Sequence, residues 1–382
     1  MSQPLVSIFM FCKDRRESIA RAIDSVLAQS WPHIEIIVQD AASTDGTLEI
    51  LQAYGGAIDL VSAPDSGPAE GFNRALQRCR GAYIGSCLSD EELLPDAVER
   101  AVAYLDGHPQ AGAITGDADI IDFNGKIIGE YISKPFILVP YLTGEYCPFF
   151  VSSFFRRQAL VEVGIMDSGW QPTSIEFEMW CRLGADTEIH YVSGKFGRYG
   201  IHPGQLSNVP SDIQLHMDGR FKVIERMFTP GGLFASPSPD CAALMYHLLA
   251  RQCVNQFNHV MCHKLPAAGA RYWELFVLYS RRLGQVLAAQ AGCRYDDARL
   301  VALVAAEPSV MFRDDALATI AAHLDAGPAV LEALGPLAIP DAMPARIELP
   351  RLPPALHAVA LAELERYGQR RALSTGVGPQ GR

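Results

Sequence analysis

The sequence lacks several features that would assign a class at once. Its nine cysteines contain no C-x-x-C pair and stand at irregular positions such as Cys12, Cys79, Cys147 and Cys262. That odd number and spacing speak for reduced thiols, against a disulfide framework or a structural zinc site. Positive charge is in deficit: 32 Lys and Arg stand against 43 Asp and Glu, for a formal net charge of −11. A duplex-binding protein presents a basic face, so nucleic acid is not an expected partner. No apolar run approaches the roughly 18 residues of a membrane span, which leaves peripheral contact as the only membrane association to expect. The opening "PLVSIFMFC" has no basic segment ahead of it and runs straight into "KDRRES", so it reads as a buried strand rather than a signal segment. P-loop, H-E-x-x-H and G-x-G-x-x-G fingerprints are all missing. The expected location is cytoplasmic.

What is present is ordinary globular material, 49 % hydrophobic and 20 % charged over 382 residues. That is enough chain for two domains. The first hundred residues alternate between two periodicities. "LVSIFMF" and "IEIIVQD" are continuous apolar runs, as in strands covered on both faces. "RESIARAIDSVLAQ" spaces Ile19, Ile23, Val26 and Leu27 for a helix. "STDGTLEILQAY" and "GPAEGFNRALQRC" read as helices, "IDLVSAP" and "GAYIGSCLS" as strands. Strand and helix in this rhythm predict an α/β fold, a mostly parallel sheet with helices on both faces. Ligands of such sheets sit outside the carboxyl ends of the strands, and Asp40, Asp65 and Asp90 each fall at or just after one. Further on, "AGAITGDADIIDFNGKIIGEY" predicts two strands around a turn at Asn124-Gly125. "SSFFRRQALVEVG" predicts a strand entering a helix. Beyond residue 210 the texture turns helical through about 370, interrupted by the Pro-rich "PLAIPDAMPARIELPRLPP". Residues 371–382 are expected to be a disordered tail.

The stretch "GSCLSDEELLP", residues 85–95, puts Asp90, Glu91 and Glu92 in a row. Ser89 and Glu92 have the spacing of a capping box, in which hydroxyl and carboxylate satisfy each other's backbone N–H groups at a helix start. The same acids could hold a cation. The segment alone leaves both readings open.

Several stretches carry a resemblance when taken in order: "VSIFMF", "RAIDSVLAQSWPHIEIIVQDAASTDGTLEIL", "APDSGPAEGFNRALQRCRGAYIG", "LSDEELLPDAV" and "GDADIIDFNGKIIG". Together with "SIEFEMWCRL" and "IHPGQLS" they resemble the family 2 glycosyltransferases, inverting enzymes of GT-A fold, across roughly residues 4–208. The resemblance implies a GT-A domain over 1–210 followed by a helical region. It implies a nucleotide-sugar donor, UDP-linked by first choice, and a carbohydrate or glycoconjugate acceptor. It also implies a divalent cation, Mn2+ or Mg2+, bridging the donor diphosphate. A hard cation held by carboxylate oxygens neutralises the charge that grows on a departing nucleoside diphosphate. Asp90 takes the place of the metal-binding acid, with Glu91 beside it and His202 as a further ligand. Glu176, ahead of "W-C-R-L", takes the place of the general base that accepts the proton of the acceptor hydroxyl. Asp40, Asp65, Asn73 and Phe11 fall where relatives hold the nucleoside, ribose and phosphates. Each has a structural alternative: Asn73 as an interior helix residue, His202 as a packed loop residue, Glu176 as a helix-start acid. Glu178 reads as an ion-pair residue.

The chain also departs from the family pattern. Ala41 stands where a second acid is usual, Leu88 where the first acid of a D-x-D triplet falls, and Cys12, Lys13 and Asp14 replace a polar "Thr-Tyr-Asn". These departures support a competing expectation, a catalytically weak GT-A domain serving as a nucleotide-binding or assembly platform. A nucleotidyltransferase would need a glycine-rich loop after the first strand, and "FMFCKDRRES" has no glycine. The C-terminal helices are expected to cover the acceptor site, to form a homo-oligomer, or to meet a partner or membrane surface.

Overall fold

The computed structural model describes residues 3–144, 146–163, 174–202, 205, 210–262, 266–291 and 354–375. It divides into two compact units, one made of Met1–Leu138 with Tyr146–His216 and the other of Val139–Glu145 with Met217–Arg382. The sequence placed a boundary near 210 but gave no sign that the short segment 139–145 belongs with the second unit.

The first unit is built on a nine-stranded sheet. Its strands are β1 (Val6–Cys12), β2 (Ile34–Asp40), β3 (Asp59–Ser62), β4 (Tyr83–Ser86), β5 (Glu92–Leu93), β6 (Ala111–Ile121), β7 (Ile127–Tyr131), β8 (Ser153–Arg156) and β9 (Glu188–Gly200). They lie in the order β3-β2-β1-β4-β8-β6-β9-β5, with β7 on β6. The β3-β2-β1-β4 half is parallel throughout. The other half is mixed, because β8 runs antiparallel to both β4 and β6 while β9 runs parallel to β6. The expected parallel sheet is therefore the first half of a mixed one.

Helices cover both faces of the sheet. Val6, Ile8, Met10 and Cys12 of β1 point to one face, in a single cluster with Ile19, Ala22, Ile23 and Val26 of helix α1 (Ile19–Leu27). Those four helical positions are spaced i, i+3, i+4 and i+7, the apolar stripe of a surface helix. Phe9 points the other way and meets Phe72 of α3 (Pro68–Arg78) edge to face, with ring centroids 5.0 Å apart. Such a pair adds about 1 kcal/mol to the burial itself. Helix α2 (Thr47–Ala53) begins at Gly46, whose φ of 103° is left-handed, so the Ser and Thr before it do not cap the helix with their side chains. The expected turn at Asn124-Gly125 is present, with Gly125 at φ 80°. β8 runs straight into α6 (Arg157–Val163), and "SIEFEMWCRLGAD" forms α7 (Ser174–Asp186). Trp180 of α7 is fully buried against Phe155 and Phe150.

The second unit is helical: α8 (Pro210–Met227, shared with the end of the first unit), α9 (Pro239–Cys262), α10 (Pro266–Ala291) and α11 (Pro354–Thr375). Within it, Gln252 and Asn255 of α9 donate to the Leu142 and Thr143 carbonyls at 3.0 and 3.1 Å. These are the carbonyls that α5 (Leu138–Leu142) leaves without helical partners at its end. Helix α11 continues through Thr375, inside the stretch expected to be a tail. The Pro-rich stretch and residues 376–382 lie outside the described residues.

Candidate functional site

The carboxyl ends of β1 and β2 carry two interlocked loops. The Asp14 N–H donates to Ser43 Oγ at 2.8 Å and the Thr44 N–H to Asp14 Oδ1 at 2.9 Å. The Arg15 and Arg16 N–H groups donate to Thr47 Oγ1 and Asp45 Oδ2. Asp14 and Ala42 sit at φ 52° and 55°, left-handed conformations that non-glycine residues rarely adopt. Asp40 anchors this arrangement. Its carboxylate is fully buried and accepts from Ser43 Oγ, the Ser43 N–H at 3.0 Å and Ser62 Oγ at 2.6 Å. Expected as a nucleoside contact, Asp40 is spent on holding the loop instead.

Phe11 is half-buried at the end of β1, against Phe72. Asp65 approaches the same place from the β3–α3 loop. A Cβ on Gly71 would lie 3.1 Å from Asp65 Oδ2 and 3.3 Å from Phe11 Cβ, so Asp65, Phe11 and the α3 backbone meet at one point. Asp65 accepts from the Gly67 N–H at 3.0 Å, and partial burial raises its pKa even though the charges of Arg74 and Lys13 pull the other way. The nearness of Lys13 was not foreseen; the only signal was its place in a segment that departs from the family pattern. Asn73 lies on the buried side of α3.

The acids of "LSDEELLP" separate. No helix starts here: Ser89 to Glu91 form a turn, Glu92 and Leu93 form β5, and α4 begins only at Ala97 (Ala97–Gly107). The capping-box reading is overturned, because Glu92 is drawn into the sheet by β9. Buried there, it binds Arg21 Nε at 2.6 Å with one oxygen and an Arg198 guanidinium nitrogen at 2.7 Å with the other. Arg21 and Arg198 are structural partners that the sequence did not reveal.

Asp90 and Glu91 also differ from one another. Asp90 Oδ2 faces His202 Nε2 at 3.0 Å, with the Asp90 side chain 16 % and the His202 side chain 9 % exposed. His202 follows the end of β9, and Gly200 brings that end against the Asp90 backbone: a Cβ on Gly200 would lie 2.1 Å from the Asp90 carbonyl oxygen. Glu91 is buried and accepts from the Leu88 N–H at 2.8 Å. Burial holds its pKa well above the usual carboxylate range, and the charges of Asp90 and Glu176 add to the effect. Glu91 thus faces inward with its charged form disfavoured, and the geometry does not give it the ligand place expected beside Asp90. The influence of Glu176 on Glu91 brings the first turn of α7 to the same site. Glu178 holds Arg182 through both oxygens, at 2.5 and 2.8 Å, as an ion-pair residue should.

Among the described residues, no group of three or more His, Cys, Asp or Glu side chains could hold a metal ion. Asp90 and His202 still fit one. They present a carboxylate oxygen and an imidazole nitrogen side by side, a donor pair suited to Mn2+. A cation that takes its remaining ligands from a diphosphate and water needs no more protein than that.

A mixed α/β sheet with acids gathered beyond its strand ends, followed by helices, is a domain of GT-A type. The "Glycosyl transferase family 2" model matches residues 7–162, and the N-terminal part of the chain belongs to that family. A chondroitin synthase of Escherichia coli is 26 % identical over 233 residues, 60 % of this chain and 33 % of its own. A hyaluronan synthase of Pasteurella multocida is 38 % identical over 99 residues, 25 % of this chain and 10 % of its own. The matches thus span no more than about a third of either relative. The crystal structure of S. aureus TarS 1-349 superposes with a TM-score of 0.52 at 14 % identity, covering 84 % of this chain and 89 % of TarS 1-349, a likeness of fold.

Proposed function

We propose that the protein is an inverting glycosyltransferase that moves a sugar from a nucleoside-diphosphate donor to an acceptor hydroxyl, in the assembly of a surface polysaccharide or glycoconjugate. The observation that carries this reading is the convergence of the adjacent Asp90 and Glu91 with Glu176 and His202, from three separate stretches of the chain. Relatives named as chondroitin and hyaluronan synthases support polysaccharide as the product class.

Asp90 and His202 are the residues that would hold a divalent cation, which when bound supplies positive charge to the departing diphosphate. The donor is assigned to Asp65 and Phe11, whose meeting at the α3 backbone supports a shared role. Glu176 accepts the proton of the acceptor hydroxyl as that oxygen attacks the anomeric carbon from the face opposite the nucleotide. Base and leaving group on opposite faces are what inversion requires, as in inverting hydrolases. Glu91 accepts the Leu88 N–H and fixes the turn that presents Asp90.

A second reading is favoured by one feature: Asp40 is consumed by its loop while Ala41 and Leu88 offer no acid in its stead. On that reading the domain binds nucleotide weakly and serves as a platform. Calorimetric binding of UDP, GDP, CDP and dTDP, with and without Mn2+, to wild type and Asp90→Ala separates the two. Metal-dependent binding of one nucleotide, lost in the variant, is expected. If no nucleotide binds under either condition, the platform reading takes its place. Glu176→Gln should then lower transfer to the acceptor by about 100-fold or more while donor binding stays intact. Full activity in that variant would remove Glu176 from the role of base.

A further inference from the structure

Exposed apolar side chains are not spread evenly over the described residues. Of the twelve large hydrophobics that are exposed, Phe123, Ile127, Ile128, Ile132 and Ile137 fall within one short stretch. Ile201 makes a sixth, since its N–H bonds the Ile121 carbonyl at 2.8 Å where β6 enters the hairpin turn. Single exposed apolar residues need no explanation, but a group of them on and beside one β-hairpin does. Within that hairpin, β7 pairs with β6 alone among the described strands.

We propose that the β6–β7 hairpin is a membrane-docking element that seats the first unit on an anionic phospholipid surface. Ile127 and Ile128 sit at a β-bulge opposite Ile121 and are 52 % and 56 % exposed. Two features favour a bilayer over a protein groove. Lys126 and Lys134 flank the apolar residues, both exposed and without an ion pair among the described residues, at the level where headgroup phosphates would lie. The acids of the hairpin are already occupied, Glu130 by Lys195 at 3.0 Å and Asp122 by the N–H groups of Asn124 and Lys126.

The hairpin is also braced as an insertion element needs to be. Arg21 donates to the Phe123 carbonyl at 3.2 Å while holding Glu92, and Lys195 joins Glu130 to Asp119. At the tip, the Phe123 ring lies 6.0 Å from that of His202, which puts the docking element at the edge of the Asp90 site. No described helix is long and apolar enough to cross a membrane, so attachment through the described residues would be of this interfacial kind. The proposal concerns binding to lipid and does not depend on the transferase reading.

The test is co-sedimentation of the full chain with phosphatidylcholine vesicles, with and without phosphatidylglycerol. Wild type should partition onto the mixed vesicles. Ile127→Ser/Ile128→Ser should lower the partition coefficient about tenfold or more, with an unchanged melting temperature as the control for folding. Lys126→Gln/Lys134→Gln should remove the preference for phosphatidylglycerol. Failure of wild type to sediment with either vesicle, or equal sedimentation of the Ile127→Ser/Ile128→Ser variant, would overturn the proposal. A wild-type dimer in sedimentation velocity that the same variant dissolves, without lipid binding, would assign the hairpin to a second copy of the chain.

Discussion

Gly200→Ala isolates one contact in the candidate site. The Cβ it adds would lie 2.1 Å from the Asp90 carbonyl oxygen and 3.5 Å from Asp90 Cβ, while glycine leaves that space open. A carbon and a carbonyl oxygen need about 3.3 Å, so the two backbones must part by about 1 Å. Neither can do so freely. Gly200 is the last residue of β9 in register with Ile121, and the turn carrying Asp90 is held on one side by Glu91 and on the other by the β5–β9 pairing of Glu92 with Arg198. Overpacking of this kind costs about 1–3 kcal/mol, which for a domain of this size is a fall of about 2–12 °C in Tm. The functional loss should be larger in proportion, because the displaced atoms carry Asp90 away from His202 and a misplacement of about 1 Å can cost about 100-fold. The assay pairs a thermal melt with Mn2+-dependent nucleotide binding. Gly107→Ala is the control: a Cβ there meets nothing within 4 Å and it closes α4, so it should be neutral or stabilising by about 0.5 kcal/mol. If Gly200→Ala matched wild type in both Tm and binding, the close approach of β9 to the acid turn would not be what positions Asp90.

Glu92→Ala should destabilise the protein by about 2–3 kcal/mol in urea unfolding, because it strands two guanidinium groups whose own partial exposure limits the loss; Glu92→Gln should cost less, and equal costs would show that charge plays no part. Glu91 makes the stability of the unliganded protein fall with pH. With its folded pKa above the unfolded one, the stability it contributes is complete below the usual carboxylate value and is lost as pH rises through the raised value. Glu91→Gln keeps a neutral acceptor for the Leu88 N–H, so its advantage over wild type should grow as pH rises above the usual carboxylate value, and a constant difference in urea midpoint would refute the assignment. Native-state alkylation at about pH 8 should label exposed Cys262 while sparing Cys87 and Cys253, whose thiol pKa values are pushed far up by burial; peptide mapping that found Cys87 labelled as fast as Cys262 would contradict the packing around β4.

The parallel half of the sheet was legible because its signals are local. Each strand is a short apolar run, each helix has a stripe at i, i+3, i+4 and i+7, and the acids follow at strand ends. The mixed half was not legible to the same degree. Whether β8 runs with or against β4 depends on pairing between residues such as Tyr83 and Arg156, which no window on the sequence contains. The same limit explains the misreading of "LSDEELLP". Ser89 and Glu92 have a spacing that helices use, and nothing within ten residues argues otherwise. What decides the matter is Arg198, 106 residues further on, which takes the Glu92 carboxylate into a strand pair with β9. In the turn just before Glu92, Glu91 faces the core, where burial pushes its pKa up. Asp90 is left as the one acid of the three free to face His202. A run of three similar carboxylates thus resolves into three different groups where a turn enters a strand: a paired anchor, a buried acid and a candidate ligand.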